Sequence, residues 1–195
     1  MRRGCQVVAG VDEVGRGAWA GPLVAAAVSF ARPHRAERLG LKDSKQLSPA
    51  AREALFDEIV AAAAAVGVGA VAADEVDILG LNRANELAMA RAVRALGVAP
   101  DHLLIDAVRL SDERWEQSAL VHGDGRSVSI AAASIIAKVT RDRWMAALDA
   151  VHPGYGWRSN KGYGTLDHAA ALSKLGPSAI HRQSFAPVAA AAAGR

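Results

Sequence analysis

Three acidic residues close sequence runs that are otherwise apolar. Asp12 and Glu13 end the valine-rich run VVAGVDEV, and Asp106 lies late in HLLIDAV. A carboxylate among apolar neighbours is costly to bury unless a cation or a hydrogen-bond donor compensates its charge. The two runs therefore predict a cationic ligand or partner beside these acids, provided that the runs are neighbouring strands of one sheet.

A further acid, Asp124 in VHGDGR, follows a short strand-like run and precedes a helix predicted from Ser129. The chain has one cysteine, Cys5, and no HExxH pair, so the available donors are carboxylate oxygens. Oxygen donors favour Mg²⁺ or Mn²⁺ over zinc. Two such ions held by carboxylates catalyse phosphodiester hydrolysis in many nucleases, so the residues alone predict metal-assisted phosphodiester hydrolysis.

The pair Asp12 and Glu13 poses a geometric difficulty. Adjacent residues of a regular strand point to opposite faces, so both side chains cannot reach one metal ion. Either the strand ends or bulges at Glu13, which Gly15 and Gly17 would allow, or Glu13 serves elsewhere. Any one acid alone is explained more simply as a salt-bridged or capping carboxylate; two acids within apolar strands favour a shared site.

Hydrophobic periodicity predicts the elements that must position these acids. Strands are predicted over 6–13, 23–30, 66–73, 102–108 and 120–123. Helices are predicted after Ser48-Pro49, and over 81–96, 129–151 and 165–175. This order predicts an α/β fold: a central mixed β-sheet flanked by helices, with a small C-terminal helical appendage.

The length of 195 residues predicts one main domain over 1–187, of which 153–187 form a helical C-terminal segment. The alanine-rich tail, 188–195, is expected to be disordered. A single cysteine and the lack of a long apolar segment predict a cytoplasmic protein without a membrane span.

Charge is unevenly distributed along the chain. The formal net charge is +3, but from Lys138 onward eight Lys and Arg stand against three Asp and Glu. This basic C-terminal third is either the electrostatic footprint of a polyanion or an ordinary solvated surface.

Several motifs, taken in order, closely resemble the bacterial ribonuclease HII family. They are DEVGRG (12–17), DSKQLS (43–48), LLIDAV (103–108), GDGRSVSIAAASIIAKVTRD (123–142), KGYGT (161–165) and HRQSF (181–185). The resemblance implies an RNase H-like fold and an endoribonuclease that cleaves RNA in RNA–DNA hybrids and single ribonucleotides in duplex DNA. It further implies a cut on the 5′ side of the ribonucleotide, which leaves 3′-hydroxyl and 5′-phosphate ends.

The resemblance also assigns roles to individual residues. The catalytic metal ligands, for two Mg²⁺ or Mn²⁺ ions, would be Asp12, Glu13, Asp106 and Asp124. The backbone of Gly15, Arg16 and Gly17 would read the 2′-hydroxyl, and Tyr163 would pack against the sugar at the RNA–DNA junction. Ser44 and Lys45 would contact a phosphate, or their loop only caps a turn.

Two residues depart from the family pattern. His122 stands where the family usually has lysine, and Ala107 stands where glycine commonly follows the strand aspartate. Lys138 and Arg141 share a helical face and either hold the acids of the site or are solvated. Four histidines are expected in loops or on the surface (His34, His102, His152, His168), whereas His181 is expected to order the C-terminal segment.

Two other functions compete with this interpretation. The chain could be a non-catalytic nucleic-acid-binding module, but clustered negative charge gains nothing in binding a polyanion. It could instead be a DNA nuclease of the same architecture that cuts Holliday junctions or transposon ends, but such an enzyme has no 2′-hydroxyl to read. The expected partner is an RNA–DNA hybrid or a ribonucleotide-containing duplex, and the expected oligomeric state is a monomer.

Overall fold

The computed structural model describes residues 6–41, 47–111 and 114–194. The strands in these residues are β1 (Val8–Val14), β2 (Leu23–Ser29), β3 (Ala65–Val71), β4 (His102–Asp106) and β5 (Gln117–Leu120). The helices are α1 (Pro33–Ala36), α2 (Pro49–Ala62), α3 (Ala73–Leu79), α4 (Leu81–Arg94), α5 (Val128–Val151), α6 (Trp157–Asn160), α7 (Leu166–Leu175) and α8 (Ala186–Ala193). Across these ranges no helix has the length and apolar character that a membrane span requires.

The strands form one mixed sheet in the order β3-β2-β1-β4-β5. β1 pairs antiparallel with β2 and parallel with β4, and β4 pairs parallel with β5. This confirms the predicted fold class. The last strand was predicted over 120–123 but is formed by Gln117–Leu120, because pairing with the buried β4 supplies its hydrogen bonds despite its polar sequence.

The chain divides into two compact units. The first unit comprises the described residues of 1–14, 24–70 and 86–139, and the second comprises those of 15–23, 71–85 and 140–195.

In the first unit, small residues let helices lie directly on strands. A Cβ atom at Gly10 of β1 would collide with the backbone of Ser129 and Ile130 at the start of α5. On β3, Cβ atoms at Gly67 and Gly69 would likewise collide with the backbone of α4. These glycines therefore mark close helix–sheet contact, although glycine is a poor strand former.

Helix α2 begins where the sequence predicts it. The Ser48 hydroxyl accepts a hydrogen bond from the Ala51 N–H, and Pro49 occupies the first helical turn. Leu55, Phe56 and Ile59 pack on the core of the first unit. Val60, the next residue along the helix, is 47% exposed.

The C-terminal segment differs from expectation. Residues expected to be disordered belong to helix α8, Ala186–Ala193, with Pro187 in its first turn and Val188 buried. Alanine has the highest intrinsic helix propensity, and the buried Val188 packs this helix on the rest of the protein. Helix α3 was not predicted, because the sequence pattern assigned its first residue to the preceding strand.

Candidate active site

Asp12 and Asp106 lie at the same level of two neighbouring parallel strands. Val11 of β1 is opposite Ile105 of β4 in the register, and each aspartate follows directly. Parallel strands end at the same edge of a sheet, so the two carboxylates are brought to one place. The juxtaposition expected from the apolar runs is thus present.

An open cavity of about 340 Å³ lies beside these carboxylates, wholly within the first unit. Its lining consists of three acids, two basic residues, one hydroxyl and two apolar side chains. They are Asp12, Glu13, Asp106, Arg52, Lys138, Ser134, Val14 and Ile135. The cavity therefore combines clustered negative charge with basic side chains at one sheet edge.

Asp12 is the most perturbed of the acids. Its side chain is 6% exposed, and burial raises its pKa to about 7, with the charges of Glu13 and Asp106 acting in the same direction. A hydrogen bond with the Ser134 side chain and one from the Glu13 N–H to Oδ1, 2.8 Å long, partly offset this rise. A cation bound beside Asp12 would lower this pKa, because it favours the ionised carboxylate.

Glu13 lies in a regular part of β1. The pairing with β2 continues through Glu13 opposite Ala25 to Val14 opposite Val24. The strand therefore neither ends nor bulges at Glu13, which excludes the first of the two explanations considered from the sequence. Glu13 nevertheless lines the same cavity as Asp12.

Asp124 lies in a 3-10 turn, Gly123–Gly125, directly after β5. The Gly123 N–H donates to Oδ1 of Asp106 over 2.8 Å, so the turn is tied to the strand carboxylate. Asp124 itself accepts a hydrogen bond from the Gly125 N–H and is not among the residues that line the cavity. The structure thus brings three of the four predicted acids together at the cavity and holds the fourth in the adjoining turn.

Both departures from the family pattern have left-handed backbone conformations. The φ angle is +57° at Ala107 and +54° at His122. Residues with a Cβ atom rarely adopt this backbone conformation, whereas glycine adopts it readily. The family's glycine after the strand aspartate therefore has a conformational reason, and Ala107 adopts the same turn at a cost in strain.

Sequence reasoning missed two residues of the cavity. Neither Arg52 of α2 nor Ser134 of α5 was among the predicted site residues. Both reach the cavity by tertiary packing, for which the sequence carries no periodic signal.

The alternatives left open for Lys138 and Arg141 are resolved differently for each: Lys138 lines the cavity, whereas Arg141 is fully buried in the second unit.

The chemistry of the donor set suits a divalent metal ion. The acids and Ser134 offer hard oxygen donors, which match Mg²⁺ or Mn²⁺. Within residues 6–41, 47–111 and 114–194, no group of three or more His, Cys, Asp or Glu side chains is arranged so that it could hold a metal ion by itself. Fewer protein ligands are usual for Mg²⁺, which keeps several waters and takes substrate phosphate oxygens. The residues present therefore fit such an ion.

The residues expected to read the ribonucleotide lie in the second unit. Gly15 has a φ of +90°, and Gly17 is exposed. Nη2 of Arg16 donates to Oδ1 of Asn82 over 3.2 Å. The ring of Tyr163 lies 5.3 Å from the guanidinium carbon of Arg141. Ser44 and Lys45, the expected phosphate contacts, lie outside the described residues.

A buried histidine pair supports the backbone at Tyr163. The Ser178 N–H donates to Nδ1 of His181 over 2.9 Å, so His181 carries its proton on Nε2 and donates it to Nε2 of His168, 3.0 Å away. His168 then donates from Nδ1 to the Tyr163 carbonyl over 2.9 Å. His168 was expected in a loop or on the surface but is fully buried, because these partners satisfy both ring nitrogens. The expectation for His181 matches its place in this chain.

Comparison with known proteins assigns the family. A family model described as Ribonuclease HII matches residues 9–188. The chain belongs to the ribonuclease HII family. It is 54% identical over 186 residues to a ribonuclease HII of Bacillus licheniformis, covering 95% of this chain and 72% of that one. It is 52% identical over 191 residues to a ribonuclease HII of Chloroflexus aurantiacus, covering 96% and 90%.

Solved structures of related enzymes show the same fold. The chain is similar to the ribonuclease H2 of Pyrococcus horikoshii, with a TM-score of 0.85 and 28% identity over 96% of this chain and 98% of that one. A Bst-RNase HIII structure in complex with Mn²⁺ has a TM-score of 0.76 at 25% identity, covering 100% of this chain and 72% of that one. Family membership makes the protein an endoribonuclease of the RNase H type that depends on a divalent metal and acts on RNA–DNA substrates.

Proposed function

We propose that this enzyme incises duplex DNA at single embedded ribonucleotides, in addition to cleaving RNA in longer RNA–DNA hybrids. The cut lies on the 5′ side of the ribonucleotide and leaves 3′-hydroxyl and 5′-phosphate ends. The observation that carries the catalytic part of the proposal is the buried Asp12 beside Glu13 and Asp106 in one cavity. A carboxylate that is buried among like charges does not stabilise the fold. Its presence therefore favours a catalytic role in which it binds a cation.

Asp12, Glu13, Asp106 and Asp124 would hold two divalent ions, Mg²⁺ or Mn²⁺. When bound, such ions lower the pKa of water and stabilise the leaving oxygen of a phosphodiester. The chain's own part is to fix the carboxylates. The Gly123 N–H restrains Asp106, and the Glu13 N–H restrains Asp12, so both are oriented before substrate arrives.

The basic residues of the cavity would attract the scissile phosphate of the substrate. Lys138 and Arg52 line the same space as the acids, and Nη1 of Arg52 is anchored on the Leu47 carbonyl over 2.6 Å. A cation fixed near the carboxylates offsets the repulsion between them and an incoming phosphate.

Selection of ribose over deoxyribose would come from the second unit. Backbone amides of Gly15, Arg16 and Gly17 can approach a sugar closely, because glycine has no Cβ atom, and the 2′-hydroxyl is what distinguishes RNA from DNA. Tyr163 would pack on the sugar at the junction. Ser44 and Lys45 would contact a phosphate. The enzyme would act as a monomer, in the cytoplasm.

The decisive experiment uses a labelled DNA duplex that carries one ribonucleotide. An all-DNA duplex serves as the substrate control, and reactions contain Mg²⁺, Mn²⁺ or EDTA. We expect cutting on the 5′ side of the ribonucleotide only, with metal only, and products that a DNA polymerase extends without prior phosphatase treatment. Binding without cutting in either metal would favour the non-catalytic module, and cutting of the all-DNA duplex would favour a DNA nuclease.

A matched pair of variants connects the activity to the site. Asp106→Asn should remove turnover by a factor of about 10² or more, while the protein stays folded by circular dichroism. Asp57→Asn, on the exposed face of α2, is the control and should keep the wild-type rate.

A further inference from the structure

Two buried arginines of the second unit donate hydrogen bonds to backbone carbonyls. Arg141 and Arg182 are both fully buried. Arg141 donates from Nε to Pro22, from Nη2 to Ala20 and from Nη1 to Lys161, over 2.9, 3.1 and 2.7 Å. Arg182 donates from Nε and Nη2 to Gly21, over 3.2 and 3.0 Å, and from Nη1 to Arg16, over 2.9 Å.

Burying two charged guanidinium groups costs free energy unless hydrogen bonds compensate their lost hydration. Burial lowers the pKa of Arg182 to about 10, and the nearby charge of Arg141 adds to the effect, yet the side chain stays protonated at neutral pH. A buried guanidinium needs hydrogen-bond acceptors, and here carbonyls of the 16–22 loop and of Lys161 accept three hydrogen bonds from each side chain. The loops are therefore ordered around the two charges.

The fit leaves no room for a side chain at the start of the GRG loop. A Cβ atom at Gly15 would collide with Nε of Arg141, and the φ angle of +90° itself favours glycine. Glycine at position 15 is thus required by the packing of Arg141, in addition to any contact that its backbone makes with substrate.

The bond from Arg182 to the Arg16 carbonyl also sets the direction of an amide. The peptide bonds are trans, so the Gly17 N–H points opposite to the Arg16 C=O within one rigid plane. With that carbonyl held on buried Arg182, the Gly17 N–H is turned away from it. Gly17 is exposed, a Cβ atom there would meet nothing within 4 Å, and no acceptor for its amide is found among residues 6–41, 47–111 and 114–194.

We propose that Arg182, assisted by Arg141, is a positioning residue for ribonucleotide selection: it fixes the Arg16–Gly17 peptide so that the Gly17 N–H donates to the 2′-oxygen of the substrate. This inference rests on the proposed function. Arginine suits the task because its planar fork holds the Gly21 and Arg16 carbonyls at once, whereas the lysine ammonium is a point charge.

The test compares equilibrium binding of two duplexes that differ by one 2′-hydroxyl. Fluorescence anisotropy in EDTA, which stops turnover, gives the ratio of affinities for the ribonucleotide duplex and the all-DNA duplex. We expect Arg182→Lys and Arg182→Gln to reduce this ratio about 3- to 10-fold, the effect of weakening one neutral hydrogen bond. Affinity for the all-DNA duplex should change less than 2-fold. Arg83→Lys and Arg83→Gln, at an exposed position of α4, are the matched controls.

Three results would overturn the inference. One is a wild-type ratio in folded Arg182 variants. Another is an equal loss of affinity for both duplexes, which a general structural or electrostatic role would produce. The last is full recovery of the ratio in Arg182→Lys, since that would make charge sufficient. Folding is checked by circular dichroism and thermal unfolding.

The wild-type protein supplies a second test that needs no variant. In ¹⁵N spectra, the Gly17 amide should shift on binding the ribonucleotide duplex and not on binding the all-DNA duplex; equal shifts would contradict the proposal. A wild-type enzyme that fails to cut the ribonucleotide duplex in Mg²⁺ or Mn²⁺ would instead refute the proposed function, so the two failures are separable.

Discussion

At the scale of single residues, the candidate site places charge where it reduces stability. Asp12 has a folded-state pKa near 7 against an ordinary value of 3.8, with burial as the main cause. A group whose pKa is raised on folding contributes stability below its unfolded value and loses that contribution as pH rises through the folded value. Around and above neutral pH, the ionised carboxylate therefore opposes folding of the metal-free protein.

Asp12→Asn should stabilise the metal-free enzyme while removing its activity. At pH 8 we expect the free energy of unfolding to rise by about 1–3 kcal/mol, because the amide avoids the cost of a buried charge. Urea unfolding in EDTA measures this change. Adding Mn²⁺ should raise the Tm of the wild type and have little effect on the variant. A destabilised Asp12→Asn would contradict the account, and Asp57→Asn serves as the control.

Ala107→Gly should also stabilise the protein. The residue has a φ of +57°, directly after Asp106, and glycine relieves that strain at some cost in unfolded-chain entropy. We expect a net gain of about 0.5–1 kcal/mol in urea unfolding. The matched control, Ala54→Gly on the exposed face of α2, should lose a similar amount, because its backbone is helical. Equal losses in both variants would show that Ala107 is not strained.

At the scale of elements, the sequence predicted what local patterns encode. The apolar runs predicted β1 and β4, Ser48-Pro49 predicted the start of α2, and hydrophobic periodicity predicted α5 almost to its ends. Roles that depend on distant contacts were not predictable. His168 looked like a surface histidine because its partners, Tyr163 and His181, come together only in the folded chain.

The histidine pair should make stability depend on pH. Burial lowers the pKa of His181 to about 4, and the charge of His168 adds to the effect. Between about pH 6.5 and pH 4 the unfolded chain therefore binds more protons than the folded protein. The contribution of neutral His181 to stability is complete above pH 6.5 and is lost as the pH falls toward 4. Protonation of His181 at Nδ1 would also place a second N–H donor against the Ser178 N–H, and the hydrogen bond between them would be lost.

His181→Gln should weaken this acid sensitivity. From pH 7 to pH 5 we expect the wild type to lose about 1–2 kcal/mol more than the variant in urea unfolding. The comparison must be between the two proteins, because Asp12 acts in the opposite direction over the same range and is present in both. Parallel pH profiles would show that His181 is not kept neutral. His34→Gln, at an exposed position, is the control.

At the scale of the whole molecule, the distribution of charged residues along the chain is more informative about function than the net charge. A net charge of +3 does not identify a nucleic-acid enzyme, but the excess of basic residues after Lys138 is typical of a polyanion-binding surface. Two of the basic residues in that segment, Arg141 and Arg182, are buried and hold loops instead. A charge count from sequence therefore overstates the surface available to a duplex.

Salt dependence of duplex binding separates surface charge from buried charge. Affinity for the all-DNA duplex should fall steeply between 50 and 200 mM salt, because each phosphate contact releases counterions. Arg158→Gln, at an exposed position of the basic segment, should reduce the slope of log affinity against log salt by about 1. Arg182→Gln should leave that slope unchanged, since a buried guanidinium bound to carbonyls meets no phosphate. Arg38→Gln, exposed in the first unit, is the control. A reduced slope in Arg182→Gln would assign that arginine to the phosphate-binding surface and remove its role in positioning Gly17.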